Sequence, residues 1–266
     1  MNEETYREVI QEAAELVRRA AHPRKGTISL SPETAALLDA IKLAPTPASE
    51  AAVGAVAGPA AGASESGPAA ELAVLAAEVS ACTKCDLCQS RTQTVFSDGS
   101  PTADLVFVGE APGFNEDQQG IPFVGRAGKL LTDIIEKGMK MRREEVYICN
   151  VLKCRPPENR DPTLEEKREC EPYLLRQLEL VRPKVICALG GHAAKTLLQT
   201  DESTGRLRGK WHFYHGIPLR VTYHPAYLLR SPGEKSKTWE DIQEIMKVLS
   251  GEVVLEAPDG VQAPWD

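Results

Sequence analysis

Four cysteines of this chain have spacings that fit metal ligation. Cys82 and Cys85 are separated by two residues, and Cys154 and Cys170 lie on either side of the loop R-P-P-E-N-R-D-P (155–162). Two thiolates at the shorter spacing can face one metal from a single turn, and a loop and a helix can supply the other two. The pattern predicts a closed metal site, and the spacing alone does not separate zinc from iron-sulfur.

The other three cysteines permit different roles. Cys88 extends the first pair to C-x2-C-x2-C and is a competing ligand. Cys149 and Cys187 lie inside apolar runs, and since free cysteine is among the most buried residue types, we expect them in the core. Seven cysteines without a secretory signal favour metal or redox use over disulfides. A cytoplasmic location is therefore expected.

Polar side chains also stand where predicted strands end. Glu110 follows the apolar run 104–109, Asn150 closes a second run, and His224 stands in a Tyr-His-Pro corner after a third. In an open parallel sheet, ligand sites form at the carboxyl ends of the strands. These side chains are thus candidates for one site.

The elements that must position them follow an α/β pattern. Buried strands are predicted at 104–109, 146–152 and 184–190, and a hairpin at 211–214 and 218–222. Helices are predicted at 127–137, 164–181, 192–198 and 239–249. We expect a three-layer α/β/α sandwich with a central, mostly parallel four-stranded sheet, preceded by a helical N-terminal extension and a flexible linker.

Composition divides the chain into four parts. Residues 1–43 are predicted to form a helical extension, 44–70 an Ala/Gly/Pro-rich linker, 71–250 the α/β domain and 251–266 an acidic tail. The net charge is −7, yet residues 81–250 hold 25 basic and 23 acidic side chains, so charge does not exclude nucleic acid. No run approaches the ~18 apolar residues of a membrane span, and no membrane partner is expected.

Six segments within residues 81–249 resemble the family-four uracil-DNA glycosylases, the iron-sulfur members of their superfamily. They occur in one order: C-T-K-C (82–85), G-E-A-P-G-F-N-E-D (109–117), G-I-P-F-V-G-R-A-G (120–128), Y-I-C-N-V-L-K-C-R-P-P-E-N-R (147–160), R-G-K-W (208–211) and H-P-A-Y-L-L-R (224–230). The resemblance implies a 4Fe-4S cluster on Cys82, Cys85, Cys154 and Cys170. It also implies removal of uracil from DNA, leaving an abasic site for base-excision repair.

The resemblance gives roles to the strand-end residues. Phe123 would lie against the face of a flipped-out uracil, and the Asn150 amide can read its edge. His224 can donate a hydrogen bond to the uracil O2 as negative charge grows there. Gly109, Glu110 and Ala111 complete the implied uracil-binding set.

A carboxylate is also needed to orient the attacking water. Glu110 is the first candidate, with Asp117 and Glu116 as second candidates, and Ala111 cannot do acid-base work. The acid that dominates stays open at this stage.

The last matched segment predicts how DNA is held. Leu228 and Leu229 would press into the duplex as a wedge, and Arg155, Arg160 and Arg230 would contact phosphates. The expected partner is uracil-containing DNA and the expected state is a monomer. Residues 1–43 are a candidate docking segment for a repair or replication protein.

Three rival interpretations follow from the same residues. A related subgroup traps its product through a His in the loop after the third cluster Cys, but residues 155–162 contain no His. A non-catalytic, metal-stapled DNA-binding module associated with a polymerase is the alternative of another class. An ordinary nucleotide-binding enzyme would need a G-x-G-x-x-G or G-x-x-x-x-G-K-[ST] loop, which the sequence lacks.

Overall fold

The computed structural model describes residues 67–258. The helices predicted within residues 1–43, the linker as far as residue 66 and the end of the acidic tail, 259–266, lie outside the described residues. No helix within 67–258 combines the length and the apolar character needed to cross a membrane.

A single sheet holds six strands within the described residues. The strands are β1 (Asp98–Gly99), β2 (Leu105–Gly109), β3 (Tyr147–Asn150), β4 (Val185–Leu189), β5 (Trp211–Tyr214) and β6 (Ile217–Thr222). Their order is β1-β3-β2-β4-β6-β5; the four central strands are parallel, and β1 and β5 pair antiparallel at the edges. The predicted four-stranded parallel core is confirmed, and the two edge strands extend it.

Helices cover both faces of this sheet. They are α1 (Pro68–Ser80), α2 (Leu87–Ser90), α3 (Phe114–Gln119), α4 (Arg126–Asp133), α5 (Leu164–Val181), α6 (Gly191–Leu198), α7 (Thr204–Leu207), α8 (Pro225–Arg230) and α9 (Lys235–Leu249). A π-helical segment, Ile134–Met139, continues α4. Short 3-10 turns lie at Arg143–Glu145, Pro157–Asn159 and Pro232–Glu234.

Alternation along the strands divides the core into two layers. Val106 packs with residues of α1, α5 and α6, whereas its neighbour Phe107 packs with residues of α4, the π-helical segment and α9. Successive strand side chains point to opposite faces, and a sheet covered on both faces needs apolar residues throughout. The predicted three-layer architecture is confirmed.

Local signals explain where the site-bearing elements begin. Thr163 caps α5 by accepting from the Glu166 N–H, while the Glu166 carboxylate accepts from the Thr163 N–H. This capping box fixes the chain just after the loop 155–162. Helix α1 begins at Pro68, inside the last residues of the predicted linker, and was not predicted.

Candidate active site and cysteine pocket

A cavity of about 870 Å³ opens at the carboxyl ends of the parallel strands. Glu110 directly follows β2, Asn150 ends β3, and His224 lies just beyond β6. All three line this cavity together with Phe123, which comes from the loop between α3 and α4. We call it the strand-end cavity. The structure thus brings together the four side chains that the sequence singled out.

Gly109 allows the ring and the amide to approach the backbone. A Cβ at this position would lie 2.3 Å from Asn150 Oδ1 and 2.6 Å from Phe123 Cζ. Both contacts are shorter than real Cβ atoms tolerate, so only glycine permits this arrangement. The bare backbone at Gly109 therefore lies directly against two cavity-lining side chains, although Gly109, predicted as part of the uracil-binding set, is not itself among the residues that line the cavity.

The loop carrying Phe123 is fixed by neighbouring groups. Phe123 has a left-handed backbone (φ 54°), a costly conformation for an aromatic residue that the surrounding structure must hold. The Glu116 carboxylate accepts from the N–H groups of Val124 and Gly125 at 3.0 and 3.1 Å. A Cβ on Gly128 would fall 1.8 Å from the Phe123 carbonyl oxygen, so α4 packs directly on this backbone.

Asn150 presents an unpaired acceptor. Its residue is 2% exposed, and Oδ1 has no hydrogen-bond partner among the described residues. Its backbone carbonyl accepts from the buried Lys153 ammonium at 2.6 Å, which fixes the end of β3. Because buried polar atoms are nearly always paired, an orphan acceptor that lines a cavity indicates a ligand that donates to it.

His224 is held as a neutral imidazole. It is the N-cap of α8, where its Nδ1 accepts from the Ala226 N–H at 3.1 Å, so the proton of the neutral ring belongs on Nε2. Burial, and secondarily the charge of Arg230, lowers the pKa of His224 to about 4. Its ring centroid lies 5.7 Å from that of Phe123. The site therefore offers a neutral N–H donor beside an aromatic ring.

Glu110 is a carboxylate in a poorly solvated position. Its Oε1 is buried without a hydrogen-bond partner among the described residues, and His192 Nδ1 lies 3.3 Å from it. Burial raises the pKa of Glu110, and the nearby Asp161 raises it further, whereas His192 and Lys167 lower it. A general base works best when its pKa lies near the working pH, and these opposing influences on the pKa of Glu110 suit that role.

The other two candidate acids have structural tasks. Glu116 lines the strand-end cavity but uses its carboxylate to hold the Phe123 loop. Asp117 is 2% exposed, does not line the cavity, and accepts from the Thr92 N–H at 2.9 Å. Asp117 is therefore corrected from a candidate catalytic group to a structural one.

Four of the five residues predicted to contact DNA are accessible, and the fifth is buried. Arg160 and Arg230 line the cavity, Leu229 is 44% exposed, and the Arg155 guanidinium lies over the exposed ring of Phe114. Leu228 is 1% exposed, so its assignment to the wedge is wrong. Neighbouring helix residues point in different directions, and α8 buries one leucine while it presents the other.

The predicted metal ligands converge on a second, smaller cavity. Cys82 lies after α1, Cys85 before α2, Cys154 after β3 and Cys170 within α5, and all four line it together with Cys88. We call it the cysteine pocket. None of the seven cysteines, which all lie within residues 67–258, forms a disulfide, and Cys149 and Cys187 are fully buried in strands, as predicted.

The cysteine pocket offers the thiolate donors that an iron-sulfur cluster or a structural zinc ion requires. Arg91 donates to Cys154 Sγ at 3.2 Å and the Lys153 N–H donates to Cys170 Sγ at 3.3 Å. Burial raises the pKa of Cys170 to about 11, so a bound metal must stabilise its thiolate.

Comparison with known proteins agrees with this geometry. The model of the Uracil DNA glycosylase superfamily matches residues 96–243. A type-4 uracil-DNA glycosylase of Saccharolobus solfataricus is 43% identical over 191 residues, which cover 69% of this chain and 88% of the relative. The chain belongs to the type-4 uracil-DNA glycosylase family.

Two further members of the type-4 uracil-DNA glycosylase family match over similar lengths. The Sulfurisphaera tokodaii protein is 44% identical over 179 residues, covering 64% of this chain and 81% of the relative. The Thermotoga maritima protein is 42% identical over 185 residues, covering 67% of this chain and 95% of the relative.

Sequence reasoning missed one titratable side chain in the strand-end cavity of this type-4 family member. His192 was assigned only to the start of a helix, yet it lines the cavity next to Glu110. The available signal was its position shortly after β4, at the same sheet edge. Gly190 was also missed: its φ is 90°, and a Cβ there would lie 2.8 Å from the Cβ of His224.

Proposed function

We propose that this protein is a uracil-DNA glycosylase that receives a flipped-out uracil in the strand-end cavity. It hydrolyses the bond between the base and deoxyribose and leaves an abasic site, the first step of base-excision repair. The observation that carries the proposal is the meeting of Glu110, Phe123, Asn150 and His224 in one cavity at the strand ends.

Base selection would depend on Asn150. Uracil offers an N3–H donor and an O4 acceptor on one edge, so the unpaired Oδ1 can accept from N3–H and the amide NH2 can donate to O4. Cytosine presents the reverse pattern, which would leave buried groups unpaired and cause rejection. Phe123 would stack on the base and restrict it to one plane.

Bond cleavage would require the stabilisation of two opposite charges, a negative one on the departing uracil and a positive one on the sugar. As the C1′–N1 bond breaks, its electron pair leaves with the uracil, and the Nε2–H of the neutral His224 can donate to O2. The sugar becomes oxocarbenium-like, and the Glu110 carboxylate can stabilise it and orient a water molecule. The water oxygen then bonds to C1′ and its proton passes to the carboxylate.

The cysteine pocket would hold a 4Fe-4S cluster on Cys82, Cys85, Cys154 and Cys170. When bound, the cluster contributes structure and no redox step. It would connect α1, α2, the end of β3 and α5, and through β3 it would fix Asn150. Such a cluster and unpaired thiols fit the reducing cytoplasm.

The DNA-facing surface would surround the cavity mouth. Leu229 is the exposed apolar residue available as a wedge, and Arg155, Arg160 and Arg230 are the candidate phosphate contacts. Arg160 is already oriented by a two-pronged pair with Glu166.

Release of uracil by matched variants tests the proposal. Each protein is incubated with a uracil-containing oligonucleotide, the strand is cleaved with alkali, and the absorbance band near 400 nm is checked. We expect wild-type protein to release uracil, and Glu110→Gln and His224→Ala to lose about 10² to 10³ in rate while keeping the band. DNA binding without release by the wild-type protein would support the binding-module alternative instead.

A further inference from the structure

His192 contributes a side chain to the strand-end cavity that none of the steps above uses. It is near the start of α6, which follows β4 at the sheet edge that also carries Glu110. Its Nδ1 lies 3.3 Å from Glu110 Oε1 and 3.9 Å from Asp161 Oδ1. One imidazole nitrogen therefore stands between two carboxylates.

This contact concerns the buried oxygen of the Glu110 carboxylate. Glu110 Oε1 is buried and has no hydrogen-bond partner among residues 67–258. A buried carboxylate without a partner tends to take up a proton or turn away. His192 is the basic group in direct reach of this oxygen, and its ring is half exposed.

The His192 imidazole shifts the pKa of both Glu110 and His224 in the direction that the proposed reaction requires. The charge of His192 lowers the pKa of Glu110 and so favours the carboxylate. It also lowers the pKa of His224 and so favours the neutral ring. Asp161 lies close to the same imidazole nitrogen.

We propose that His192 is a positioning residue: its imidazole holds the Glu110 carboxylate ionised and directed into the cavity, where the carboxylate orients the attacking water. This inference rests on the role of Glu110 in the proposed function. Asp161 would help to orient the His192 ring, without contact with the substrate.

The pH dependence of cleavage is the readout that a merely structural role would not change. The charged and titratable groups around the pair are Asp161, Lys167, His224, Glu116, Arg160 and Arg230. Activity should fall as the pH drops through the pKa of Glu110, because the protonated acid cannot orient water. Removal of a neighbouring cation raises that pKa, so the acidic limb should move to higher pH.

The experiment compares single-turnover uracil release across about pH 5 to 9 for His192→Leu, His192→Lys and wild-type protein. We expect the acidic limb of His192→Leu to move to higher pH, with a several-fold lower rate near pH 6 and a rate equal to wild type near pH 9. His192→Lys restores a cation and should return the limb to the wild-type position or below. The control is His215→Asn, which changes a hairpin-turn histidine that does not line the cavity.

A second pair of measurements separates the possible failures. Glu110→Gln should lower the rate by about 10² to 10³ and remove the acidic limb from the residual activity. If it does and the His192→Leu profile coincides with that of wild type, the role of His192 is overturned and the glycosylase proposal stands. If Glu110→Gln remains as active as wild type, the role of Glu110 fails and that of His192 with it. Thermal melting and the iron absorbance of each variant confirm that the compared proteins are folded.

Discussion

At the scale of single residues, the arrangement of Asn150 and Phe123 in the strand-end cavity depends on the lack of a Cβ at Gly109. Gly109→Ala should place a Cβ against Asn150 Oδ1 and Phe123 Cζ and displace the two groups that would read and stack the base. We expect uracil release to fall at least tenfold, with an overpacking cost of about 1–3 kcal/mol in stability. Single-turnover release and thermal melting measure the two effects.

A glycine that lines the strand-end cavity provides the control. A Cβ at Gly205 would meet no atom within 4 Å. Gly205→Ala should leave release and melting unchanged. Equal losses in the two variants would contradict the steric argument.

The place of a side chain in the site could be predicted from the sequence where the residue lies in one of the six segments that resemble the glycosylase family. Glu110, Phe123 and Asn150 do so, and all three line one cavity. His192 lies outside every such segment, and its relation to Glu110 arises only because β2 and β4 are neighbours in the sheet. Leu228 failed for another reason, since two adjacent leucines look alike until a helix assigns them to opposite sides.

At the scale of elements, periodicity and caps decided what could be predicted. Helix α5 was predicted with the bounds observed, because a start signal and an amphipathic run agree. Helix α1 was missed because its Ala-rich start resembles the linker before it. The short helices α3, α7 and α8 have one or two turns, too few for a period to be recognised.

The cysteine pocket gives an element-scale prediction, because its ligands come from separate elements. Cys154→Ser should lose iron and release the contact between β3 and α5. We expect the melting temperature to fall by about 10 °C, since a structural metal contributes several kcal/mol and each one corresponds to roughly 2–4 °C in a domain of this size. Iron content and thermal melting are the measurements.

Cys88→Ser is the control for this prediction, because Cys88 lines the same pocket without being assigned as a ligand. It should keep both iron and the wild-type melting temperature. Loss of iron in Cys88→Ser but not in Cys154→Ser would show that the ligand assignment is wrong.

At the scale of the whole molecule, His224 links stability to pH. Its pKa is about 4 when folded, against an ordinary value near 6.5, so between these values only the unfolded chain binds the proton. Stability should therefore decrease as the pH falls through this window and should not depend on His224 above it. His224→Asn removes the titrating group and keeps an N-cap acceptor for α8.

Urea unfolding of the two proteins at about pH 7 and 5 measures this contribution. We expect wild-type protein to lose more stability than His224→Asn between the two pH values, by up to about 1.4 kcal/mol per pH unit in the window. Identical losses would mean that His224 is not buried as a neutral group.

The extent of the functional unit is a second whole-molecule question. Helix α1 begins at Pro68, and the matches to relatives cover 56–69% of this chain but as much as 95% of a relative. We therefore expect a protein of residues 67–258 to keep the single-turnover rate of the full chain. A folded, iron-containing 67–258 protein without activity would assign an essential role to the residues outside this range.

The most direct test of the central claim compares two oligonucleotides that differ only in one base, uracil or cytosine, under excess of the full-length protein as isolated. The measurement is free base released in a single turnover. The account predicts that uracil is released and leaves an alkali-sensitive site, while the cytosine strand stays intact. Release of both bases at equal rates, or of neither, would contradict it.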